Sequence, residues 1–239
     1  MTSTSLPSFP CPLCGHAVCG HPGCSPPELA LASPTGGRAL LDCPVCGLLF
    51  APPGERLGAE EERARYETHE NDPTDPRYRA FLDRLARPLA ERLAPGARGL
   101  DYGSGPGPTL SLMMTERGFP TVDWDPFFAP DPAPLEAGPY DFVTCTETAE
   151  HFFEPGREFQ RLAGLIRPGG WLGIMTDPVP GEEIPPNWYY LRDPTHVAFY
   201  REQTLTWIAA RFGWAMERPE RRIILYRTGV SVAVRPGSS

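Results

Sequence analysis

The chain has 239 residues, 41% of them hydrophobic and 10% aromatic, and a formal net charge of −8. This length is enough for one full α/β domain plus a small module, and it excludes a fibrous protein. The acidic balance disfavours RNA as a partner, although Arg38, Arg56, Arg63 and Arg65 could form a local basic patch. Without a recognisable signal peptide or apolar span, we expect a cytoplasmic protein with no membrane partner.

Two short segments of the same design, Cys-Pro-x-Cys-Gly, lie near the start of the chain. Each offers two thiols at a spacing that binds one metal ion, and four thiolates suit tetrahedral zinc. A disulfide framework is the alternative, which a reducing cytoplasm disfavours. We therefore predict a structural zinc ion within a zinc-ribbon-like module of residues 1–52, held by Cys11, Cys14, Cys43 and Cys46.

The segment between the two cysteine pairs carries further thiols and imidazoles. These residues lack a second pair at matching spacing, so they are predicted not to be zinc ligands, although one of them could substitute for a ligand or join a second partial site. They are His16, Cys19, His21 and Cys24.

Residues 53–97 are predicted to be a linker followed by a helical cover. Residues 57–66 carry the acidic start of one helix. In residues 75–93 the apolar side chains recur at helical spacing, and Asp75 can cap the amino terminus. Pro88 should bend or split this longer helix.

The most informative segment is Leu100–Gly107, where three glycines and an acid fill a bend between a predicted strand and a predicted helix. Glycine accepts positive φ and has no side chain, so Gly103, Gly105 and Gly107 let the backbone approach a ligand closely. A dinucleotide fingerprint of the form G-x-G-x-x-G needs glycine where this chain has Pro108, which disfavours a nicotinamide-dependent oxidoreductase.

Three further landmarks follow in order. Residues 118–125 predict a short strand ending in Asp125, the position where such folds bind a ribose diol. Residues 140–152 predict an apolar strand running into an acid-bearing bend, and residues 165–175 predict a helix end, a turn and another buried strand. This alternation predicts an α/β fold with a mostly parallel, doubly wound sheet.

The Asp-x-Gly-x-Gly-x-Gly segment from Asp101 and the Tyr-Asp-x-Val-x-x-x-Glu-x-x-Glu-His segment from Tyr140 resemble the class I S-adenosylmethionine-dependent methyltransferases. The resemblance implies a Rossmann-like methyltransferase domain over residues 98–239 with S-adenosylmethionine as cofactor. It places the cofactor against Asp101, Gly103, Ser104, Gly105, Gly107, Asp125 and Thr146.

One departure from the family pattern concerns the third strand. Asp125 and Asp141 lie too close in sequence for a normal helix and strand, and repeated prolines interrupt the segment between them. We therefore expect a reduced third strand. Near the end of the chain, residues 202–212 are predicted to be a helix, and residues 223–226 and 230–234 are predicted to be terminal strands.

A sulfonium methyl group is already an activated electrophile, so a catalytic base is optional. The candidates are His196, His151 and Glu147, with Glu150 beside them, because histidine titrates near neutral pH and carboxylates accept protons. Helix capping or packing is the alternative for His151. The aromatic segment Asn187–Tyr190 could form the wall of an acceptor pocket or a lid's own core.

The function predicted from the resemblance is S-adenosylmethionine-dependent methyl transfer to an unidentified acceptor, with a small molecule favoured over RNA or protein. The strand ending Thr144-Cys145-Thr146-Glu147 lacks the Asn/Asp-Pro-Pro-aromatic motif of enzymes that methylate base amines. Tyr66–Asp72 could reach the methyl donor, or it could be an ordinary polar loop. The alternative function is a non-catalytic nucleotide-binding module whose zinc arm docks a partner protein.

Overall fold

The structure is a computed structural model that describes residues 8–19, 39–68, 71–181, 184–185 and 187–229. The chain divides into two compact units. The first, which we call the sheet unit, comprises residues 69–147, 161–175 and 206–239. The second, which we call the arm unit, comprises residues 1–68, 148–160 and 176–205.

The strands, in chain order, are β1 (Ser8–Pro10), β2 (Ala17–Cys19), β3 (Leu41–Asp42), β4 (Leu49–Phe50), β5 (Gly99–Tyr102), β6 (Thr121–Trp124), β7 (Tyr140–Thr146), β8 (Ile166–Met175), β9 (Ala198–Phe199), β10 (Ala215–Glu220) and β11 (Ile223–Arg227). The α-helices are α1 (Ala59–Tyr66), α2 (Pro76–Ala90), α3 (Thr109–Glu116), α4 (Ala133–Glu136), α5 (Pro155–Leu165) and α6 (Glu202–Phe212). Short 3₁₀ turns occupy Pro53–Glu55, Ala149–His151 and Tyr189–Arg192.

A six-stranded sheet in the order β10-β11-β8-β7-β5-β6 forms the sheet unit. The strands β6, β5, β7 and β8 pair in parallel, whereas β11 and β10 are antiparallel. The predicted Rossmann-like class I methyltransferase fold with its mostly parallel sheet is therefore confirmed. The carboxyl ends of β5, β6 and β7 meet at one edge, which is where folds of this type bind ligands.

Between β6 and β7 the chain forms no further strand in residues 126–139, all of which the structure describes. The segment holds only an isolated bridge between Asp125 and Ala129 and the single turn of α4. The loss goes further than the reduced third strand that the sequence predicted. The physical reason is a set of prolines that lack the backbone donors of a strand ladder: Pro126, Pro130, Pro132, Pro134 and Pro139.

Helix α2 begins as predicted, because an Asp75 carboxylate oxygen accepts a hydrogen bond from the amide of Arg77 at 2.8 Å. Pro88 lies inside the helix, which continues to Ala90, so the predicted split does not occur. Pro88 is only two residues from the helix end, where few backbone hydrogen bonds remain to be lost. The buried face of α2 packs in one core with α3 and the sheet.

The carboxyl-terminal part of the sheet differs in part from expectation. Helix α6 and strand β11 are confirmed, whereas the predicted strand at residues 230–234 lies outside the described residues. Strand β10 was not predicted, because Arg218-Pro219-Glu220 reads as a break in sequence. An edge strand tolerates proline, since one side of its backbone pairs with no neighbour.

The arm unit contains two small sheets, the hairpin β1-β2 and the three-stranded sheet β3-β4-β9. Strand β9 pairs antiparallel with β4, so that Leu49 lies opposite Phe199. Residues from both parts of the chain share one buried cluster: Leu40, Leu49, Ala51, Val179, Ile184, Trp188, Tyr190, Leu191, Val197 and Phe199. The early segment at residues 40–51 is therefore packed together with described residues of the segment 179–199.

Candidate functional site

The bend between β5 and α3 requires its glycines for physical reasons. Gly103 and Gly105 have φ values of 77° and 67°, in the left-handed region that glycine adopts without strain. A Cβ atom on Gly107 would lie 2.1 Å from the backbone oxygen of Asn71, so no side chain fits there. The bend is thus a bare backbone loop at the carboxyl end of the sheet.

Asp101 lies on β5 between Asp123 of β6 and Thr144 of β7. Its side chain is buried, and the Thr144 hydroxyl donates a hydrogen bond to it at 2.7 Å. Burial raises the pKa of Asp101 to about 7; the Thr144 hydrogen bond opposes the rise, and the nearby Asp123 and Asp125 add to it. A ligand ammonium group would favour the ionised carboxylate and lower this pKa.

Asp125 connects the end of β6 to the glycine loop. One carboxylate oxygen accepts a hydrogen bond from the Gly105 amide at 2.9 Å, and the other accepts from the amides of Phe127 and Phe128 at 2.8 and 3.0 Å. The structure thus brings this predicted ribose-binding residue to the loop that was predicted to lie under the cofactor. A carboxylate has lone pairs for further donors, so these contacts leave it able to bind hydroxyl groups.

One member of the segment Tyr66–Asp72 lies directly against the loop. The backbone oxygen of Asn71 accepts a hydrogen bond from the Thr109 hydroxyl at 3.3 Å. Its carboxamide nitrogen lies 3.2 Å from where a Cβ of Gly105 would be. Asn71 therefore contacts the glycine loop that was predicted to lie under the cofactor.

Unlike His151 and His196, which belong to the arm unit, Glu147 belongs to the sheet unit. It follows β7 with a φ of 48°, which is unusual for a residue with a side chain. Arg222, which the sequence analysis missed, donates to both of its carboxylate oxygens at 3.0 and 2.9 Å. An ion-paired carboxylate is a weaker proton acceptor than an isolated one.

The four predicted zinc ligands come together in the arm unit. The sulfurs of Cys11 and Cys46 are 3.6 Å apart, those of Cys14 and Cys43 are 3.5 Å apart, and all four lie within 4.8 Å of one another. Zinc–sulfur bonds of about 2.3 Å in a tetrahedron give sulfur–sulfur edges of about 3.8 Å. This donor set and its spacing therefore fit a zinc ion.

Each cysteine pair is shaped by a tight turn that ends in glycine. The amide of Gly15 donates to the Cys11 oxygen and that of Gly47 to the Cys43 oxygen, both at 2.8 Å, with φ values of 77° and 72°. His16 is exposed and is not part of the sulfur group. His21 and Cys24 lie outside the described residues, as does the side chain of Cys19.

The other two catalytic candidates meet in the arm unit. The rings of His151 and His196 are 4.9 Å apart, centroid to centroid, in an edge-to-face arrangement. Glu150, which precedes His151, is fully buried beside them. Burial lowers the pKa of His196 to about 4, although the nearby Glu150 carboxylate acts in the opposite direction. At neutral pH, His196 is therefore an uncharged imidazole.

The aromatic segment Asn187–Tyr190, which precedes His196, belongs mainly to the unit's own core. Trp188 and Tyr190 are buried, while Tyr189 is 51% exposed. The Trp188 ring nitrogen and the Tyr189 hydroxyl both donate to one Asp177 oxygen, at 3.3 and 2.8 Å. Of the two interpretations offered by the sequence, a lid's own core fits Trp188 and Tyr190, whereas Tyr189 has the exposure that a ligand contact needs.

The three described arginines among the four that could form a basic patch have other partners. Arg63 pairs with Glu67, and Arg65 pairs with Asp193. Arg56 donates to the Ala51 oxygen and lies over the Phe153 ring. Arg38 lies outside the described residues. Of the helices that the structure describes, none has the length and apolarity needed to cross a bilayer.

A glycine-bearing bend after the first parallel strand, with an acid at the end of the second strand tied to it, is typical of Rossmann-like folds that bind an adenosine-containing cofactor. Comparison with known families agrees with this class. The sequence model of the methyltransferase domain family matches residues 74–218, more than half of the chain, and the chain belongs to this family.

Among curated proteins, the chain is 37% identical over 79 residues to the ubiquinone biosynthesis O-methyltransferase of Burkholderia lata, covering 33% of this chain and 34% of the relative. The enzyme of the same name from Burkholderia cenocepacia is 35% identical over a stretch of the same length. The chain therefore matches about a third of the length of these relatives.

Two solved structures are similar to part of this chain. An O-methyltransferase family protein from Burkholderia thailandensis is 21% identical with a TM-score of 0.46, covering 70% of this chain and 62% of that one. The magnesium protoporphyrin IX methyltransferase from Synechocystis PCC 6803, solved with bound SAH, is 16% identical with a TM-score of 0.48, covering 72% of this chain and 94% of that one.

Proposed function

We propose that this protein transfers the methyl group of S-adenosylmethionine to an oxygen atom of a small molecule. In this reaction the sulfonium carbon–sulfur bond breaks, an oxygen–carbon bond forms, the acceptor hydroxyl loses its proton and S-adenosylhomocysteine is released. The protein's part is to align the acceptor with the methyl group and to give the proton a path away.

The observation that carries the proposal is the joining of Asp125 to the glycine loop beside buried Asp101. Asp101 would hold the amino-acid end of the cofactor and Asp125 its ribose hydroxyls. Gly103, Ser104, Gly105 and Gly107 would lie under the cofactor, and Thr146 at the end of β7 would contact it. Asp101 suits this role because the cationic amino group of a bound ligand would stabilise its buried carboxyl in the ionised form.

Two arguments favour an oxygen of a small molecule as the acceptor. The curated relatives that match part of the chain are named as O-methyltransferases of ubiquinone biosynthesis. The net charge of −8 disfavours binding to the phosphates of RNA. His151 and His196 are the proposed acceptor-side groups, and Glu147 remains a third candidate whose charge is balanced by Arg222.

A second part of the proposal concerns metal and location. Cys11, Cys14, Cys43 and Cys46 would hold a zinc ion that has no open coordination position and therefore a structural role. Residues 1–52 would form the zinc-bearing module ahead of the linker at 53–97 and the domain at 98–239. Reduced thiols of this kind fit a cytoplasmic protein.

The proposal is tested by calorimetric titration of the zinc-loaded protein with S-adenosylmethionine and with S-adenosylhomocysteine. Both should bind, and Asp125→Ala should weaken binding at least tenfold, about 1.4 kcal/mol. Asp125→Asn keeps one oxygen for the amides that Asp125 now binds and loses the charge. Asp131→Ala is the matched control, because this exposed aspartate lies in the same loop and, among the residues that the structure describes, accepts a hydrogen bond only from the Ala133 amide.

Failure of the folded wild-type protein to bind either compound would overturn the cofactor assignment. Equal affinity in Asp125→Ala and the wild type would instead remove Asp125 from the site while leaving the cofactor in place. Binding of both compounds without turnover of any hydroxylated acceptor would favour the non-catalytic module with a partner-docking arm.

A further inference from the structure

The arm unit contains a second group of potential metal ligands besides the four cysteines. One donor atom from each of Glu150, His151 and His196 lies within 4.8 Å of the other two. Glu150 and His151 are adjacent in the 3₁₀ turn Ala149–His151, and His196 comes from the loop before β9. The amide of Val197 donates to the Glu150 oxygen at 2.8 Å, which fixes the two backbone segments to each other.

Both imidazole rings are oriented by backbone carbonyl groups. The Nδ1 atom of His151 lies 3.1 Å from the Thr195 oxygen, and the Nδ1 atom of His196 lies 2.8 Å from the Tyr190 oxygen. A carbonyl oxygen can only accept a hydrogen bond, so each Nδ1 carries the proton. The Nε2 lone pairs remain for another partner, which is the arrangement typical of metal-binding histidines in proteins.

The third donor is a carboxylate in an unusual electrostatic position. Glu150 is fully buried, and its oxygens accept hydrogen bonds from the hydroxyls of Tyr190 and of Thr176, the latter at 3.0 Å. Both donors are uncharged, and within the described part of the chain no arginine lies within ion-pair distance of Glu150. Burying a carboxylate without a cation costs free energy, so the site favours a positively charged occupant.

We propose that Glu150, His151 and His196 bind a divalent transition-metal ion, separate from the ion held by the cysteines. Two imidazoles and a carboxylate suit ions such as zinc, cobalt(II) and iron(II), and they leave coordination positions open. Tyr190 and Thr195 would orient the ligands through the hydrogen bonds described above.

Cobalt(II) is the probe for this site, since its visible spectrum distinguishes nitrogen and oxygen ligands from thiolates. Protein carrying one zinc ion per chain in the cysteine site is titrated with cobalt(II), without cofactor or acceptor. We expect one further cobalt ion per chain and no thiolate-to-cobalt charge-transfer band. His151→Ala and His196→Ala should each weaken this binding at least tenfold, because each removes one of three ligands.

His16→Ala is the matched control, because His16 is an exposed histidine outside the cluster and its removal should leave the cobalt affinity unchanged. Glu150→Gln keeps the volume and a hydrogen-bond acceptor while removing the charge, so it should weaken binding with the fold intact by circular dichroism. It keeps the inference testable if a histidine variant unfolds.

Three results would overturn the inference: no cobalt uptake by the folded wild-type protein, uptake only with a thiolate band, or uptake that is unchanged in the cluster variants. The proposed function is tested separately by titrating the same samples with S-adenosylmethionine. Cofactor binding without cobalt uptake would reject the metal site alone. Cobalt uptake without cofactor binding would reject the proposed reaction and leave the site.

Discussion

The pKa values of two aspartates of the same sheet are shifted in opposite directions because their surroundings differ. Asp101 is fully buried, which raises its pKa to about 7. Asp141, at the other end of a neighbouring strand, accepts a hydrogen bond from the Arg98 amide at 2.7 Å and pairs with Arg167. The Arg98 amide and the Arg167 guanidinium hold the pKa of Asp141 below its ordinary value. Each pKa shift is also a contribution to stability.

The raised pKa of Asp101 predicts a pH-dependent stability. Between about pH 4 and pH 7 the folded state holds the Asp101 proton more tightly than the unfolded state. The free energy of unfolding should therefore fall as the pH rises through this window, by about 1.4 kcal/mol per unit of pKa shift, and then level off. Asp101→Asn should remove this fall, as measured by urea unfolding across the range.

Asp141→Asn is the control with the opposite sign. In the wild-type protein the pKa of Asp141 is lower in the folded state than in the unfolded state, so the Asp141 carboxylate stabilises the fold at a pH above its unfolded pKa. This stabilisation is lost as the pH falls below about 4. Asp141→Asn should therefore destabilise the protein at neutral pH. If wild type and Asp101→Asn lost stability in parallel between pH 4 and 7, the Asp101 carboxyl would not be the group responsible.

A second prediction at this scale concerns Arg201, whose two terminal nitrogens each bind one Asp42 oxygen at 2.8 Å, while one also binds the Gly47 oxygen at 2.9 Å. A lysine has one nitrogen and cannot reproduce this fork. Arg201→Lys should lower the free energy of unfolding by about 1 to 2 kcal/mol. Arg63→Lys should change it by about 0.5 kcal/mol or less, because its pair with Glu67 is exposed.

At the scale of elements, helix α5 is fitted closely to the first cysteine turn. The Gly156 amide donates to the Pro12 oxygen at 3.0 Å, and a Cβ at Gly156 would lie 2.6 Å from the Leu13 oxygen. A methyl group cannot occupy that space unless the turn that carries Cys11 and Cys14 moves.

Gly156→Ala should therefore destabilise the protein by about 1 to 3 kcal/mol, the usual cost of overpacking. Gly164→Ala is the matched control in the same helix, because nothing lies within 4 Å of its Cβ position. It should be neutral or stabilising by up to about 1 kcal/mol, since alanine is the better helix former. Thermal unfolding of both variants compares them, and equal midpoints would show that the turn yields without cost.

The elements that the sequence predicted well carry local signals. Neighbouring residues are enough to predict three of them: the cap at Asp75, the glycines of the bend and the long apolar strand β7. Strand β10 was missed because its proline and charges are tolerated only at a sheet edge, which depends on tertiary position. The sequence predicted a reduced third strand where the structure has none, for the same reason: propensity alone does not tell whether a short segment finds a partner strand.

The candidate site follows the same division. The register of parallel strands brings Asp101 near Asp123, and the loop that follows meets Asp125, so those groupings could be predicted. Arg222 lies 75 positions from Glu147, and nothing in the sequence around either residue marks the pair. A boundary between the two units falls between Glu147 and Thr148, and no local sequence signal marks it.

At the scale of the whole molecule, the cysteine-bearing segment and the cluster of Glu150, His151 and His196 both belong to the arm unit. Strand β4 follows the second cysteine pair directly and pairs with β9, which follows His196. The buried cluster that includes Leu49 also includes Trp188 and Tyr190, whose hydroxyl binds Glu150. Loss of a zinc ion at the cysteines should therefore destabilise parts of the arm unit beyond residues 1–52.

Zinc removal provides the test, with hydrogen exchange followed by mass spectrometry as the measurement. Cys46→Ser, or treatment with a chelator, should reduce amide protection in residues 40–51 and 179–199 together, because the two segments share a core. Strand β7 should keep its protection, since it lies in the sheet unit.

Val45→Ser is the matched control, because Val45 is 47% exposed in the same turn and binds no metal. If protection fell only in residues 8–19 and 39–51, residues 1–52 would be an independent module and the shared core would not couple the metal to the histidine cluster.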